Sequence, residues 1–187
     1  MSLPKPQSRL LDAAWHVPGH GEVRVHAPEL ERLLEIDRDW PLARDADREH
    51  VNWKWLGNMK KHRDGMVVTV GGATAAAWCG KYDRAIALDW RHWYRLDYLE
   101  VAESFAGLGA FVLVLIAARA TELGATGIVG NAFNEASLLA FYKRGGADLE
   151  CVRGWSCPRK MVPFCVRDDG FEQLRVIDQS LRVEGQR

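Results

Sequence analysis

Residues 99–124 read LEVAESFAGLGAFVLVLIAARATELG, and the order of residue types along this stretch decides the fold. Leu99 to Val101 is short and β-prone, and it leads into a turn holding Gly107 and Gly109. That turn opens directly into an apolar helix reaching about Leu123. The first turn of a helix has backbone N–H groups with no partner inside the helix, and it lies at the positive end of the helix dipole. Glycine permits positive φ and lets a bulky group come up against the backbone. Strand, glycine turn and helix together make a seat for a phosphate. A Gly-x-Gly pair alone is also an ordinary turn, so its reading depends on the residues C-terminal to the helix.

Residues 126–150 are TGIVGNAFNEASLLAFYKRGGADLE. A second short strand is expected near Gly127 to Val129. A helix then starts around Asn134, with Asn134 or Asn131 as its N-cap, and stops at Gly145 and Gly146.

These residues resemble the GNAT superfamily of acyl-CoA-dependent N-acyltransferases. The phosphate-loop pattern of that family, Arg/Gln-x-x-Gly-x-Gly/Ala, aligns with Ser104-Phe-Ala-Gly107-Leu-Gly109. Its later motif aligns with Asn134 and with Phe141-Tyr142-Lys-Arg-Gly-Gly146-Ala147. Ser104 stands where the family usually has a basic or amide side chain. The resemblance implies an α/β (α+β) GNAT-like fold: a central, mostly antiparallel twisted sheet of about six or seven strands with a splayed pair, flanked by about four helices. It also implies acetyl-CoA as cofactor, lying in the gap between the strand ending at Val101 and the strand near Ile128. Leu99, Glu100 and Val101 would hold the pantetheine arm through their backbone, as an added strand would. Ser104, Ala106, Gly107, Leu108, Gly109 and Ala110 would hold the diphosphate, with Asn134, Ser137 and Tyr142 completing the cofactor site.

Acetyl transfer needs a neutral amine, and a primary amine with a pKa near ~10 is mostly protonated at neutral pH. A general base is required. The candidates are Asp97 first, then Glu100, then Asp89. Strand alternation puts Asp97 and Glu100 on opposite faces, so at most one of them points into the site. Tyr142 would protonate the leaving thiolate, and a strand N–H between Leu99 and Val101 would hold the carbonyl oxygen. Trp53 and Trp55 are candidates for the acceptor pocket, although tryptophans more often serve in cores and interfaces. The acceptor is an amine of a small molecule or, alternatively, of a protein or peptide. A third reading is a non-catalytic acyl-CoA-binding module.

Composition narrows the classes. In 187 residues, 25 basic side chains balance 25 acidic ones, which gives no electrostatic case for a nucleic-acid or membrane partner. The one basic cluster, Lys60 to Arg63, reads as a solvated helix end. Cys79, Cys151, Cys157 and Cys165 form no Cys-x-x-Cys pair, and the histidines show no ligand spacing, so no metal site and reduced thiols in a cytoplasmic protein are expected. The start lacks the apolar core of a signal peptide, and the uncharged run from Ser104 to Ala118 is too short to cross a bilayer. A single domain is expected, with a homodimer among its allowed states.

In chain order, Met1 to His20 reads as a loose lead-in and Gly21 to His26 as the first strand. A helix runs from Pro28 to about Trp40 and a second from Asp47 to Lys61. Asp64-Gly65 reads as a turn. A β meander comes next: Met66 to Val70, Thr74 to Lys81, Ala85 to Trp90 and Trp93 to Val101, with turns at Gly71-Gly72 and Tyr82-Asp83-Arg84. After the glycine turn and the two helices, strands are expected at Leu149 to Trp155 and Met161 to Val166. The polar stretch from Asp168 to Arg187 has a weak helical pattern.

Overall fold

The computed structural model describes residues 8–40, 64–83, 92–132 and 162–183. Seven strands form one mixed sheet: β1 (Ala14–Val17), β2 (Gly21–His26), β3 (Asp64–Val70), β4 (Ala73–Asp83), β5 (Trp93–Val101), β6 (Gly127–Ala132) and β7 (Val162–Arg167). Their order across the sheet is their order along the chain. Every neighbouring pair is antiparallel except β5 and β6, which run parallel. A parallel pair needs a crossover, and helix α2 (Gly109–Glu122) supplies it. Between β3 and β4 the chain turns on Gly71 and Gly72, both at positive φ (56° and 89°), as a tight two-residue hairpin requires.

Helices cover both faces. Helix α1 (Leu30–Asp39) sets Leu33 and Ile36, with Trp40 just beyond its end, against Val67, Ala77, Cys79 and Ala102. On the other face α2 and α3 (Asp168–Leu181) pack together over the larger core, which includes Val23, Val68, Trp78, Tyr94, Leu96 and Ile128. Every residue of α2 from Phe111 to Ala120 is buried, which explains its lack of a polar stripe. No described helix is long and apolar enough to cross a membrane. The alanines at 75–77 are fully buried, and their small side chains let helices settle close on both sides of β4.

Several local expectations are revised. The supposed lead-in is structured from Ser8 onward: a 3-10 turn spans Arg9–Asp12, capped by the Ser8 side chain, and Ala14–Val17 forms the edge strand β1. It is held from the far end of the chain, since the Trp15 indole donates to Asp178 at 2.9 Å and Val183 N–H donates to the Ala14 carbonyl at 2.9 Å. The helical pattern expected in the polar stretch from Asp168, by contrast, is borne out as helix α3, with Phe171 and Leu174 buried. Asp64-Gly65 is not a turn but the start of β3, and Tyr82 and Asp83 belong to β4. Cys165 is disulfide-bonded, while Cys79 is a free, buried thiol, so the thiols are not all reduced. Of the expected helices, that over Asp47 to Lys61 and that from Asn134 lie outside the described residues. So do the basic cluster Lys60 to Arg63 and the strands Ala85 to Trp90 and Leu149 to Trp155.

The surroundings of Asp64 explain why it starts a strand. It is buried, and Arg119 of α2 grips its carboxylate with Nη2 at 2.8 Å and Nε at 3.0 Å, while the Tyr94 hydroxyl donates to it at 3.1 Å. The same guanidinium reaches Glu122 at 2.8 Å, and Glu122 in turn accepts from the Ser8 hydroxyl at 2.7 Å. The tyrosine lies over Gly80, where a Cβ would stand 2.7 Å from its ring. Only glycine fits there.

Candidate active site

The site lies where β5 and β6 part. Their ladder runs from Trp93–Gly127 to Leu96–Gly130 and stops, although β5 continues to Val101 and β6 to Ala132. This is the expected splay. From Val101 the chain passes through Ala102 and a 3-10 turn (Glu103–Phe105) into Gly107, which sits at φ +94°, and then into α2. The positive φ at Gly107 is the feature that the Gly-x-Gly reading requires.

The turn leaves backbone donors available. Leu108 N–H donates to the Phe105 carbonyl at 3.0 Å, and the N–H groups of Phe111 and Val112 donate to the Leu108 carbonyl at 2.8 and 3.0 Å. Among the described residues no hydrogen bond engages the N–H groups of Gly107, Gly109 and Ala110. Among the described residues the N-cap, Leu108, supplies no side-chain hydrogen bond to the helix. The cradle is therefore narrower than the expected run from Gly107 through Ala110, because Leu108 is buried and its N–H is used internally. Ser104, Ala106 and Gly107 are exposed around it. Among the described residues beyond its chain neighbours, a Cβ built on Gly107 would meet one atom within 4 Å, Nε2 of His20 at 3.8 Å. An oxyanion can reach these amides, so the residues present fit a phosphate.

The carboxylates are arranged differently from the expectation. Cys79 pairs with Tyr98 but Gly80 pairs with Leu96, so Asp97 is the extra residue of a β-bulge. Before the bulge, Tyr94 and Leu96 face α2; after it, Leu99 and Val101 do. The parity has flipped. Glu100 lies across from Ala77 and Tyr98 across from Cys79, on the face that α1 covers. Asp97 accepts from Arg95 Nε at 2.7 Å, and Arg95 lies across from Lys81, two residues along from Cys79 on that face. Asp97 and Glu100 thus share the α1 side, and simple alternation fails because of the bulge. Tyr98, which no motif in the sequence singles out, is the exposed aromatic between them (44% exposed).

The remaining candidates, Trp53, Trp55, Asp89, Asn134, Ser137 and Tyr142, lie outside the described residues. Those within them form one contiguous run, from Asp97 on the bulge through Leu99, Glu100 and Val101 to the amides at Gly107, Gly109 and Ala110. His20 stands beside this run. Nothing in the sequence signals it, because its position depends on the hairpin of β1 with β2.

No protein-family model and no curated protein sequence matches the chain. Solved structures do. A GNAT-family acetyltransferase from Listeria monocytogenes matches with a TM-score of 0.55 at 14% identity, covering 80% of this chain and 96% of that one. The PaiA N-acetyltransferase of Thermoplasma acidophilum, solved in complex with coenzyme A, matches with a TM-score of 0.56 at 12% identity, covering 78% and 99%. RimJ of Mycobacterium smegmatis, solved with CoA-disulfide, matches with a TM-score of 0.55 at 12% identity over 90% and 94%. The fold is GNAT-like, a mixed seven-stranded sheet with helices on both faces.

Proposed function

We propose, from this GNAT-like fold, that the chain is an acetyl-CoA-dependent N-acetyltransferase acting on an amine of a small molecule. The observation that carries the reading is the parting of β5 from β6 at Leu96–Gly130, directly upstream of three available amides at a positive-φ glycine. The amides of Gly107, Gly109 and Ala110 bind the diphosphate, and the backbone of Leu99 to Val101 binds the pantetheine arm as a strand edge binds a peptide. Acetyl-CoA supplies the activated acyl group as a thioester.

The chain's own work is proton handling and orientation. Asp97 and Glu100 face the α1 side together, where an amine held by the neighbouring Tyr98 can give up its proton to one of them, directly or through a water. Tyr142 is assigned the proton for the leaving sulfur, and Asn134 and Ser137 contacts to the cofactor, from the resemblance. Trp53 and Trp55 are assigned to the acceptor pocket.

The test is acetyl-CoA-dependent thiol release across a panel of amines. On a true substrate, either Asp97→Asn or Glu100→Gln is expected to lower kcat by about a hundredfold or more while CoA affinity holds. Full turnover in both variants removes the carboxylate base. Mass spectrometry of a lysate given labelled acetyl-CoA separates the acceptor classes: labelled metabolites support the proposal, and labelled proteins alone move the acceptor to a protein amine.

A further inference from the structure

The glycine turn offers a diphosphate only neutral donors, its backbone N–H groups and the Ser104 hydroxyl. Residues 102–110 read AESFAGLGA, which contains no cationic side chain and one carboxylate, Glu103. Glu103 and Ser104 are both exposed. A doubly anionic group seated there would gain from a side-chain donor, and hydrogen bonds to charged acceptors are the stronger kind. The turn's own sequence provides only the neutral Ser104 hydroxyl.

The β1–β2 hairpin brings in another side-chain donor. Val17 pairs with Gly21, and between them the chain turns through Gly19 at φ +82° and His20, whose N–H donates to the Val17 carbonyl at 3.0 Å. This fixes the His20 backbone on the rim of the sheet from which β5 delivers the chain to α2. Among the described residues beyond its chain neighbours, Nε2 of His20 is the one atom within 4 Å of where a Cβ on Gly107 would stand, at 3.8 Å. The ring is half-buried, and its side chain makes no hydrogen bond or ion pair among the described residues.

We propose that His20 is a cofactor-binding residue, whose imidazole N–H donates to the diphosphate held at Gly107, a role that rests on the glycine turn being the phosphate seat. Part of the cofactor site then belongs to the hairpin at the start of the chain, distant in sequence from the phosphate turn itself.

The experiment is a titration of purified full-length protein with coenzyme A and, separately, with S-acetylpantetheine, which lacks the phosphates. His20→Ala is expected to raise the Kd for coenzyme A about tenfold, and to leave S-acetylpantetheine binding and the melting temperature of the ligand-free protein unchanged. Adding Ser104→Arg to His20→Ala, which puts a cationic donor on the turn itself, is expected to recover most of the loss. Unchanged coenzyme A affinity in His20→Ala overturns the proposal, and so does a lowered melting temperature with equal weakening of both ligands, which marks a structural role. If the wild-type protein takes up no coenzyme A, the reading of the turn fails as well. Wild-type uptake that is indifferent to His20 defeats this inference alone.

Discussion

Gly107→Val is expected to weaken coenzyme A binding by at least about thirtyfold, close to ~2 kcal/mol. At φ +94° a β-branched residue is sterically excluded, so the chain between Ala106 and Gly109 must adopt another path. That path takes the Gly107 amide out of line with those of Gly109 and Ala110, and it places a side chain where an oxyanion would approach. Some of the effect will appear as lost stability, and a matched control separates the two. Gly124, at the opposite end of α2, sits at φ +81° with open space around it. Gly124→Val should incur a comparable backbone strain and melt earlier, yet bind coenzyme A as the wild type does. Isothermal titration and thermal melts of both variants decide the matter.

Arg119→Ala is expected to destabilise the fold by about 3–5 kcal/mol, because it leaves the buried Asp64 carboxylate without its charged partner. For a chain of this size that corresponds to a melting temperature lower by roughly 10 °C. Burial works against the Arg119 charge, but hydrogen bonds and charge from Asp64, then from Glu122, outweigh it and raise its pKa above the ordinary value. Asp64→Leu combined with Arg119→Met should be milder than either single change, since the most deeply buried pair goes together, while Glu122 loses the guanidinium but keeps the Ser8 hydroxyl as a donor. The network also makes an alkaline prediction. Burial first, and then the charge of Asp64, hold the Tyr94 hydroxyl well above its usual value. An acid whose pKa is raised on folding adds stability that is complete below its unfolded value near ~10 and is lost as pH climbs past it. Denaturant melts at rising pH, with Tyr94→Phe as reference, would show a tyrosine-dependent decline above that point and none below it.

The parts legible in the sequence are those whose cause is local. Gly21 to His26 alternates, and it is β2 to the residue. The apolar run after Gly107 is helical because the glycines open it and nothing within it breaks the turn. The meander is legible where its turns are local, as at Gly71-Gly72. The hidden parts have distant causes. Ala14–Val17 is four residues beside a Pro-Gly, and it is a strand because β2 pairs with it and Asp178, 163 positions away, accepts from Trp15. Asp-Gly is a turn signal in isolation, but Arg119, 55 positions on, makes Asp64 the start of a strand. The bulge at Asp97 is the most consequential omission. A one-residue slip inverts every side chain beyond it, and no spacing rule announces it. It moves Asp97 and Glu100 onto one face and so revises how the base is sought. The proximity of His20 to Gly107 is out of reach for the same reason, since it requires the hairpin that the prolines and the glycine of the first twenty residues obscure.

If a diphosphate rests on the main-chain amides at the entry to α2, amide chemical shifts read it directly. On titration of the labelled protein with coenzyme A, the signals of Gly107, Gly109 and Ala110 are expected among those that move furthest, whereas S-acetylpantetheine leaves them in place. Coenzyme A that binds without disturbing those three amides, or that does not bind at all, would refute the phosphate seat and the acyl-transfer reading built on it.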